Sequence, residues 1–438
     1  MKKTLLYILL VAVFAVTIVS WWHFSGYLLS SRAPGDFLLG IGRLIGLLAG
    51  VMLPLQLILI GRVKWVESVF GLDKLSRMHR TNGLIILGLI LLHPFLMVLA
   101  YSMSNETGLV SQYLLFLKYW DHILLATIGY LMLLGTIMLS LTIIRRKLKY
   151  EWWYYVHIFN YIAIAFIFLH TRETTPDSNY LPWEIFWWGI YVFTFFNIMW
   201  FRFTRPVLRF WQHKFTVERV VDLGPATSIY ITGRNMDKFK IQAGQFMIFR
   251  FLQKGFWKQA HPFSMSMAPN GRELRLTAKK LGDFTNELPK ILVGTQVLID
   301  GPHGVYTEKL ITKQKLLFIA GGIGITPIRS ILESLGTRYP DKFLLYSNKS
   351  QAETILGDEL AELSTKNNFK ITNIYDGEQV TGAEFGRLDK TMLARLVPDI
   401  AERDIFLCGP PPMMLALRKA MVELGVPKSQ IHFERFAL

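Results

Sequence analysis

Six apolar runs, each about twenty residues long, crowd into the first 210 positions of this 438-residue chain and dominate what it can fold into. As a helix, such a run crosses the hydrocarbon of a bilayer with every backbone group bonded internally. The spacing predicts spanning helices near 4–22, 37–61, 78–101, 122–144, 152–170 and 182–203. Residues beyond 210 read as an ordinary soluble α/β sequence. The mean hydropathy of +0.32, with only 18% charged residues, therefore averages two unlike halves. The first run follows Lys2 and Lys3 as a signal peptide would. It is long, however, and has no small-x-small site before Trp21-Trp22, so we read it as a retained anchor.

Charge sets the expected orientation. The formal net charge is +16, and its basic residues cluster beside the apolar runs. The stretches 62–80, 145–151 and 202–214 hold Arg62, Lys64, Lys74, Arg77, Arg80, Arg145, Arg146, Lys147, Lys149, Arg202, Arg205, Arg209 and Lys214. The opposite loops offer Arg32, Lys118 and Arg172. That bias places the amino terminus, the basic loops and everything after 205 in the cytoplasm, and it argues for a lipid bilayer as partner rather than nucleic acid. The chain has one cysteine, Cys408, which excludes disulfide frameworks, thiolate zinc sites and iron–sulfur clusters within it.

Four histidines stand inside the apolar segments as two pairs: His79 with His93, and His157 with His170. An imidazole in hydrocarbon is costly unless it binds something. Fourteen and thirteen residues are about 21 and 20 Å of helix, so the two segments offer matched ligands at two depths, as two stacked haem irons would need. Angular phase fits less well. Fourteen residues fall about 40° short of four turns, and thirteen about 140° short. The fifth helix must be tilted or distorted, or the two sites lie on different sides of it. Taken singly, each histidine has a plainer reading. His79 lies beside Arg77 and Arg80, His93 precedes Pro94, and His170 sits at a helix end. His23, His122 and His213 have no depth-matched partner and read as loop or interfacial residues.

After Lys214 the pattern changes to short alternating segments: FTVERVVDL, SIYITGR, QFMIFRF, LRLTAKKL and QVLID. Turns such as Gly224-Pro225 and Asn270-Gly271 separate them, predicting a small antiparallel β-barrel. Within it stand His261-Pro262-Phe263-Ser264 and, later, Lys279-Lys280-Leu281-Gly282-Asp283-Phe284-Thr285. A flavin needs hydrogen bonds to its ring edge and close backbone approach to its pyrophosphate. Gly282 permits that approach, Thr285 and neighbouring N–H groups can bind phosphate oxygens, and Lys279 can offset charge.

A second pattern begins at Lys315. The apolar strand KLLFIA runs into Gly321-Gly322-Ile323-Gly324-Ile325-Thr326-Pro327 and a helical stretch, IRSILESL. A glycine-rich turn of this kind lets backbone N–H groups meet a pyrophosphate, although it is not the G-x-G-x-x-G fingerprint. The strand FLLYS ends at Asn348-Lys349 without an acidic residue, so between NADPH and NADH the chain leans toward a 2′-phosphate paired with Lys349. The strand DIFL then leads to Cys408-Gly409-Pro410. Strand, turn and helix alternating in this way predict a parallel α/β sheet.

Over nearly its whole length the sequence resembles the ferric reductase / NADPH oxidase superfamily. That resemblance implies a multidomain membrane protein: a six-helix transmembrane bundle over 1–210, an antiparallel β-barrel FAD domain over 211–308, and a parallel-sheet α/β NAD(P)-binding domain over 309–438. It implies two b-type haems, the inner held by His79 and His157 and the outer by His93 and His170. It implies that His261, Pro262, Phe263 and Ser264 contact the flavin, and that Lys279, Gly282 and Thr285, with Asp283 and Phe284 between them, receive the FAD pyrophosphate. Gly322, Gly324, Thr326 and Pro327 correspond to the family's turn for NAD(P), following Gly321, and Cys408, Gly409 and Pro410 to its stretch near the nicotinamide. Phe436 corresponds to a terminal aromatic that stacks on the flavin, although Ala437 and Leu438 follow it. Where oxidases of the family often place a further histidine beyond the outer ligand, this chain has Met97, so Arg43 or His122 would supply polarity there.

The expected activity is electron transfer from cytosolic NAD(P)H through FAD and two haems b to an acceptor across the membrane, with oxygen as the first choice. A ferric chelate or a periplasmic redox partner are the alternatives, and the compact length points to a bacterial plasma membrane. A rival from another class is a haem-free transporter or sensor with a regulatory flavin module.

Overall fold

The computed structural model describes residues 2–141, 150–174 and 180–434. The expected basic segment Arg145, Arg146, Lys147 and Lys149, the end of the fourth predicted helix, and Phe436 lie outside the described residues. The chain divides into two compact units, Met1–Phe70 with Lys74–Arg202, and Gly71–Asp73 with Phe203–Leu438.

The first unit is helical: α1 (Lys2–Ser25), α2 (Asp36–Ile60), α3 (Lys64–Phe70), α4 (Leu72–Ser104), α5 (Leu109–Tyr119), α6 (Ile123–Ser140), α7 (Tyr150–Ile158), α8 (Asn160–Thr174) and α9 (Leu181–Ile198). Five stretches among the described residues are long and apolar enough to cross a membrane: Lys2–Leu29, Asp36–Ile60, Leu72–Ser104, Ile123–Ser140 and Trp152–Thr171. The expected sixth does fold as a helix, α9, followed by a π-helical turn over Met199–Thr204. Its Trp183, Trp187, Trp188 and Tyr191, amphipathic rather than aliphatic, keep its hydropathy below that of the five, so the expected count of six is not reached on that criterion. Two helices in loops went unpredicted, α3 and α5. The latter is held by Gln112, whose Oε1 accepts from Asn105 Nδ2 and Thr107 Oγ1, and by a Tyr101–Phe116–Trp120 ring cluster.

α2 runs antiparallel to α4, with Gln56 reaching His79 and the Gly42 carbonyl facing His93. Pro54 inside α2 has no N–H, which frees the carbonyl of Gly50, and the hydroxyl of Tyr191 on α9 donates to it at 2.9 Å. Tyr191 is fully buried, so the bond also removes a polar group's burial penalty.

The second unit opens with an amphipathic helix, α10 (Arg205–His213), and continues as β1 (Thr216–Asp222), β2 (Ala226–Thr232), β3 (Phe246–Phe251), β4 (His261–Ser264), β5 (Glu273–Lys279), α11 (Asp283–Glu287) and β6 (Val297–His303). The five predicted segments are strands, and His261–Ser264 adds a sixth. They form two three-stranded antiparallel sheets, β1-β2-β5 and β4-β3-β6, rather than one continuous barrel wall. Isolated bridges at Thr216–Gln296 and Met265–Leu276 join them. Their inward residues, among them Val217, Ile229, Phe249, Leu276 and Ile299, make a single core.

Next come β7 (Lys315–Gly321), α12 (Ile325–Leu335), β8 (Asp341–Asn348), α13 (Gly357–Asn367), β9 (Lys370–Tyr375), β10 (Glu384–Phe385), α14 (Lys390–Leu396), β11 (Asp404–Cys408), α15 (Pro411–Glu423) and β12 (Ile431–Phe433). The sheet is parallel throughout, in the order β10-β9-β8-β7-β11-β12. Along β7, Leu316, Phe318 and Ala320 face one core, and Leu317 and Ile319 the other. That alternation is why the strand reads as a continuous apolar run. Two buried arginines on one partly exposed carboxylate tie this sheet's helices to the β-sheets before it. Glu359 of α13 accepts from Arg275 of β5 at 2.8 Å and from Arg329 of α12 at 3.0 Å, while Arg329 also donates to the carbonyl of Ser266.

Candidate redox centre

The four membrane histidines meet in the expected pairs. The rings of His79 (α4) and His157 (α7) have centroids 6.1 Å apart, and those of His93 (α4) and His170 (α8) are 6.5 Å apart, inclined by 60° and 61°. Two metal–nitrogen bonds of about 2 Å plus the depth of two imidazole rings need about 6–7 Å, so each pair fits a shared iron.

The phase problem has a local solution. The fifth segment is not one helix: it breaks at Phe159, between α7 and α8. There the N–H of Phe159 donates to Val156 O at 3.2 Å and that of Ile162 to Phe159 O at 3.0 Å, both i to i−3 bonds. Each residue in a tightened turn advances about 20° more than in an α-helix, so the break turns the second half of the segment in the direction the shortfall requires. Both histidines thereby come to face α4.

Tautomer follows from the neighbours. Nδ1 of His79 lies 3.0 Å from the carbonyl of Gln56 and Nδ1 of His93 lies 2.9 Å from the carbonyl of Gly42. A carbonyl only accepts, so both Nδ1 atoms carry the proton and both Nε2 atoms keep a lone pair for a metal. On the other side, Trp153 stacks on His157 at 5.0 Å and donates its indole N–H to Ser140 Oγ. Sequence reasoning missed Gln56, Asn82, Gly42 and Gly46. Gln56 and Asn82 are polar groups in hydrocarbon and satisfied the same rule that singled out the histidines. Gly42, Gly46 and Gly50 recur every four residues along one face of α2, the pattern of a close helix contact. Arg43 is half-buried beside Gly42 and donates to Ser25 Oγ at 3.3 Å, and Met97 packs against Gly42.

In the second unit the two flavin motifs come together. His261 stacks on Phe284 at 3.8 Å, and Phe263 lies parallel to Phe284 at 6.4 Å. Pro262 and Ser264 pair with β3 through Ile248 and Phe246. Thr285 Oγ1 accepts from the N–H groups of Leu281 and Gly282, which holds the turn before Asp283 in shape. Lys279 is engaged with Glu353 at 2.6 Å, and this holds the Glu353 carboxyl below the usual range.

The nucleotide motifs also converge. A Cβ on Gly324 would lie 2.3 Å from the carbonyl of Cys408, and one on Gly409 would lie 3.1 Å from Gly321 Cα, so the two turns touch backbone to backbone and only glycine fits. Gly322 adopts φ 51, Thr326 Oγ1 donates to Ile323 O, and Pro327 is buried in the first turn of α12. Pro410 caps α15, and Lys349 lies exposed just past the end of β8. Cys408 is buried at the end of β11. Burial, reinforced by the nearby Glu434 carboxylate, pushes its thiol well above the ordinary 9.0. Glu434 itself is 2% exposed, and a Cβ on Gly304 would lie 2.8 Å from its Oε2. The sequence reading overlooked this carboxylate because nothing about an isolated Glu near a chain end marks it as buried.

Comparison with known proteins agrees with these motifs. Residues 45–169 match the family described as ferric reductase like transmembrane component, residues 212–307 an FAD-binding domain, and residues 318–419 an oxidoreductase NAD-binding domain. A flavohemoprotein of Xylella fastidiosa is 29% identical over 204 residues, covering 44% of this chain and 51% of the relative. The ferredoxin reductase component of 3-ketosteroid-9-alpha-monooxygenase from Mycobacterium tuberculosis is 32% identical, covering 45% and 56%. The chain thus spans about half the length of the curated relatives it matches. Among solved structures, the FAD/NAD binding domain of nitric oxide dioxygenase from Vibrio cholerae is 26% identical, with a TM-score of 0.46, covering 51% of this chain and 98% of that one. The three domain matches, in this order, give the chain the architecture of the ferric reductase / NADPH oxidase superfamily: a ferric-reductase-like membrane domain joined to an FAD and NAD(P) oxidoreductase module.

Proposed function

We propose that this protein passes electrons from cytosolic NAD(P)H across a bacterial plasma membrane to an acceptor on the far side, oxygen first among them. The observation that carries the reading is the meeting of four histidines as two pairs, at 6.1 and 6.5 Å, with a ligand spacing of about 21 Å along α4. His79 and His157 would hold the inner haem b, His93 and His170 the outer, in a bundle of six helices counting α9. When bound, FAD would supply the hydride chemistry with NADPH or NADH, and the haems would supply one-electron transfer. The chain's own residues position these groups. His261 to Ser264 and Lys279 to Thr285 would bracket the flavin, Gly321 to Pro327 and Cys408 to Pro410 would present backbone to the dinucleotide, and Lys349 would pair with a 2′-phosphate. Phe436 is assigned the flavin-covering role.

Arg43, one residue from the Gly42 that holds His93 and bonded to Ser25, is assigned the polarity that an anionic product such as superoxide would need on the outer side. Purified protein should show two low-spin b-type haems and one FAD per chain. Supplying NADPH or NADH while comparing superoxide yield with ferric-chelate reduction then separates the acceptors. Arg43→Ala is expected to lower oxygen reduction about tenfold or more while flavin reduction by NAD(P)H stays unchanged. Protein that retains flavin but contains no haem would favour the transporter or sensor reading instead.

A further inference from the structure

Both histidines of α4 are tied to α2, and in one antiparallel register. The partners Gly42 and Gln56 are fourteen residues apart on α2, facing His93 and His79, fourteen apart on α4. The means of holding differ. At His79 the tie is reciprocal: the ring N–H donates to the Gln56 carbonyl, and the Gln56 side-chain Nε2 donates back to the His79 carbonyl at 3.0 Å. Gln56 Oε1 is in turn held by Asn82 Nδ2 at 2.7 Å, which also reaches Met52 O at 3.2 Å. At His93 the restraint is one of space. A Cβ on Gly46 would lie 2.6 Å from both Cε1 and Nδ1 of the ring, so the ring reaches the Gly42 carbonyl only because residue 46 has no side chain.

A ring N–H donated to a carbonyl makes the opposite nitrogen a stronger donor to a metal and fixes the ring plane. We propose that α2 is a tuning helix, in which Gln56 with Asn82, and Gly42 with Gly46, act as positioning residues that set the two α4 ligands independently. The inference rests on the haem reading above. Stronger donation favours the oxidised iron, so loosening either hold raises the potential of that one site.

The test is a redox titration of the intact purified protein in nanodiscs, followed by absorbance and by the low-spin ferric EPR signals, with haem content measured alongside. Gly46→Ala is expected to raise one midpoint and shift one EPR signal, or to release one haem. Gln56→Leu is expected to act on the other site. Gly88→Ala, on α4 where an added methyl meets nothing within 4 Å, is the control and should change neither. If Gly46→Ala and Gln56→Leu both match Gly88→Ala, or both move the same site, the tuning role is overturned. Wild-type protein devoid of haem would overturn the underlying reading instead, and the two failures are distinct.

Discussion

Cys408 shows how one buried atom can report on a whole domain. Its thiol is 1% exposed, and its proton affinity is raised in the folded state by burial and by Glu434. The folded protein therefore holds this proton more tightly than the unfolded chain, so the contribution to stability is full below about pH 8.5 and falls as pH rises above it. The expected outcome is slow alkylation of native protein at pH 8, rapid alkylation after unfolding, and a stability that declines toward pH 10. Fast labelling of native protein at pH 8 would contradict the buried placement. Glu359 is a second residue with more than one duty. Replacing it by Ala removes the carboxylate shared by Arg275 and Arg329, at a cost of about 1.5 kcal/mol, since Arg329 keeps Glu333 and Arg275 keeps Ser266 and Tyr230. Hydrogen exchange across β5 and α12 in the intact protein measures this.

At the level of elements, the Pro54 site in α2 offers a clean double-mutant cycle. Tyr191→Phe removes the donor to the Gly50 carbonyl and should cost about 1 kcal/mol of membrane-domain stability. Pro54→Ala restores a backbone N–H for the same carbonyl. The pair together should therefore cost less than the sum of the two, and strict additivity in a steric-trapping or denaturant measurement would refute the assignment. The break at Phe159 belongs to this scale too. Thirteen residues of regular helix cannot aim two rings at one neighbour, and the sequence carried that conflict openly as a 140° shortfall. What it lacked was the remedy. Phe159 is neither Gly nor Pro, and a break made of two i to i−3 bonds leaves no compositional mark.

For the molecule as a whole, the helices, strands and dinucleotide turns were legible because each rests on periodicity or on glycine at a crowded contact. The His79/His157 and His93/His170 pairing was legible from depth alone. Polar partners arriving from another helix were not, since Gln56 and Asn82 gain their meaning only when α2 lies beside α4. The helix α5 hid in a loop because it is held by Gln112 and a ring cluster rather than by an amphipathic repeat. The two-unit division yields one more expectation. A fragment comprising residues 203–438 should fold, bind FAD, and reduce ferricyanide with NADPH, yet carry no haem; absorbance spectra and dye reduction decide it.

The matched fourteen-residue spans of α2 and α4 carry a consequence for what length changes the protein can tolerate. Insert one residue between Gly42 and Gln56, and everything beyond it swings by about 100° and slides about 1.5 Å, unshipping one site while the other stays seated. A compensating insertion between His79 and His93 would restore the register with α2 but unmatch those rings from His157 and His170. These two stretches must keep their present count.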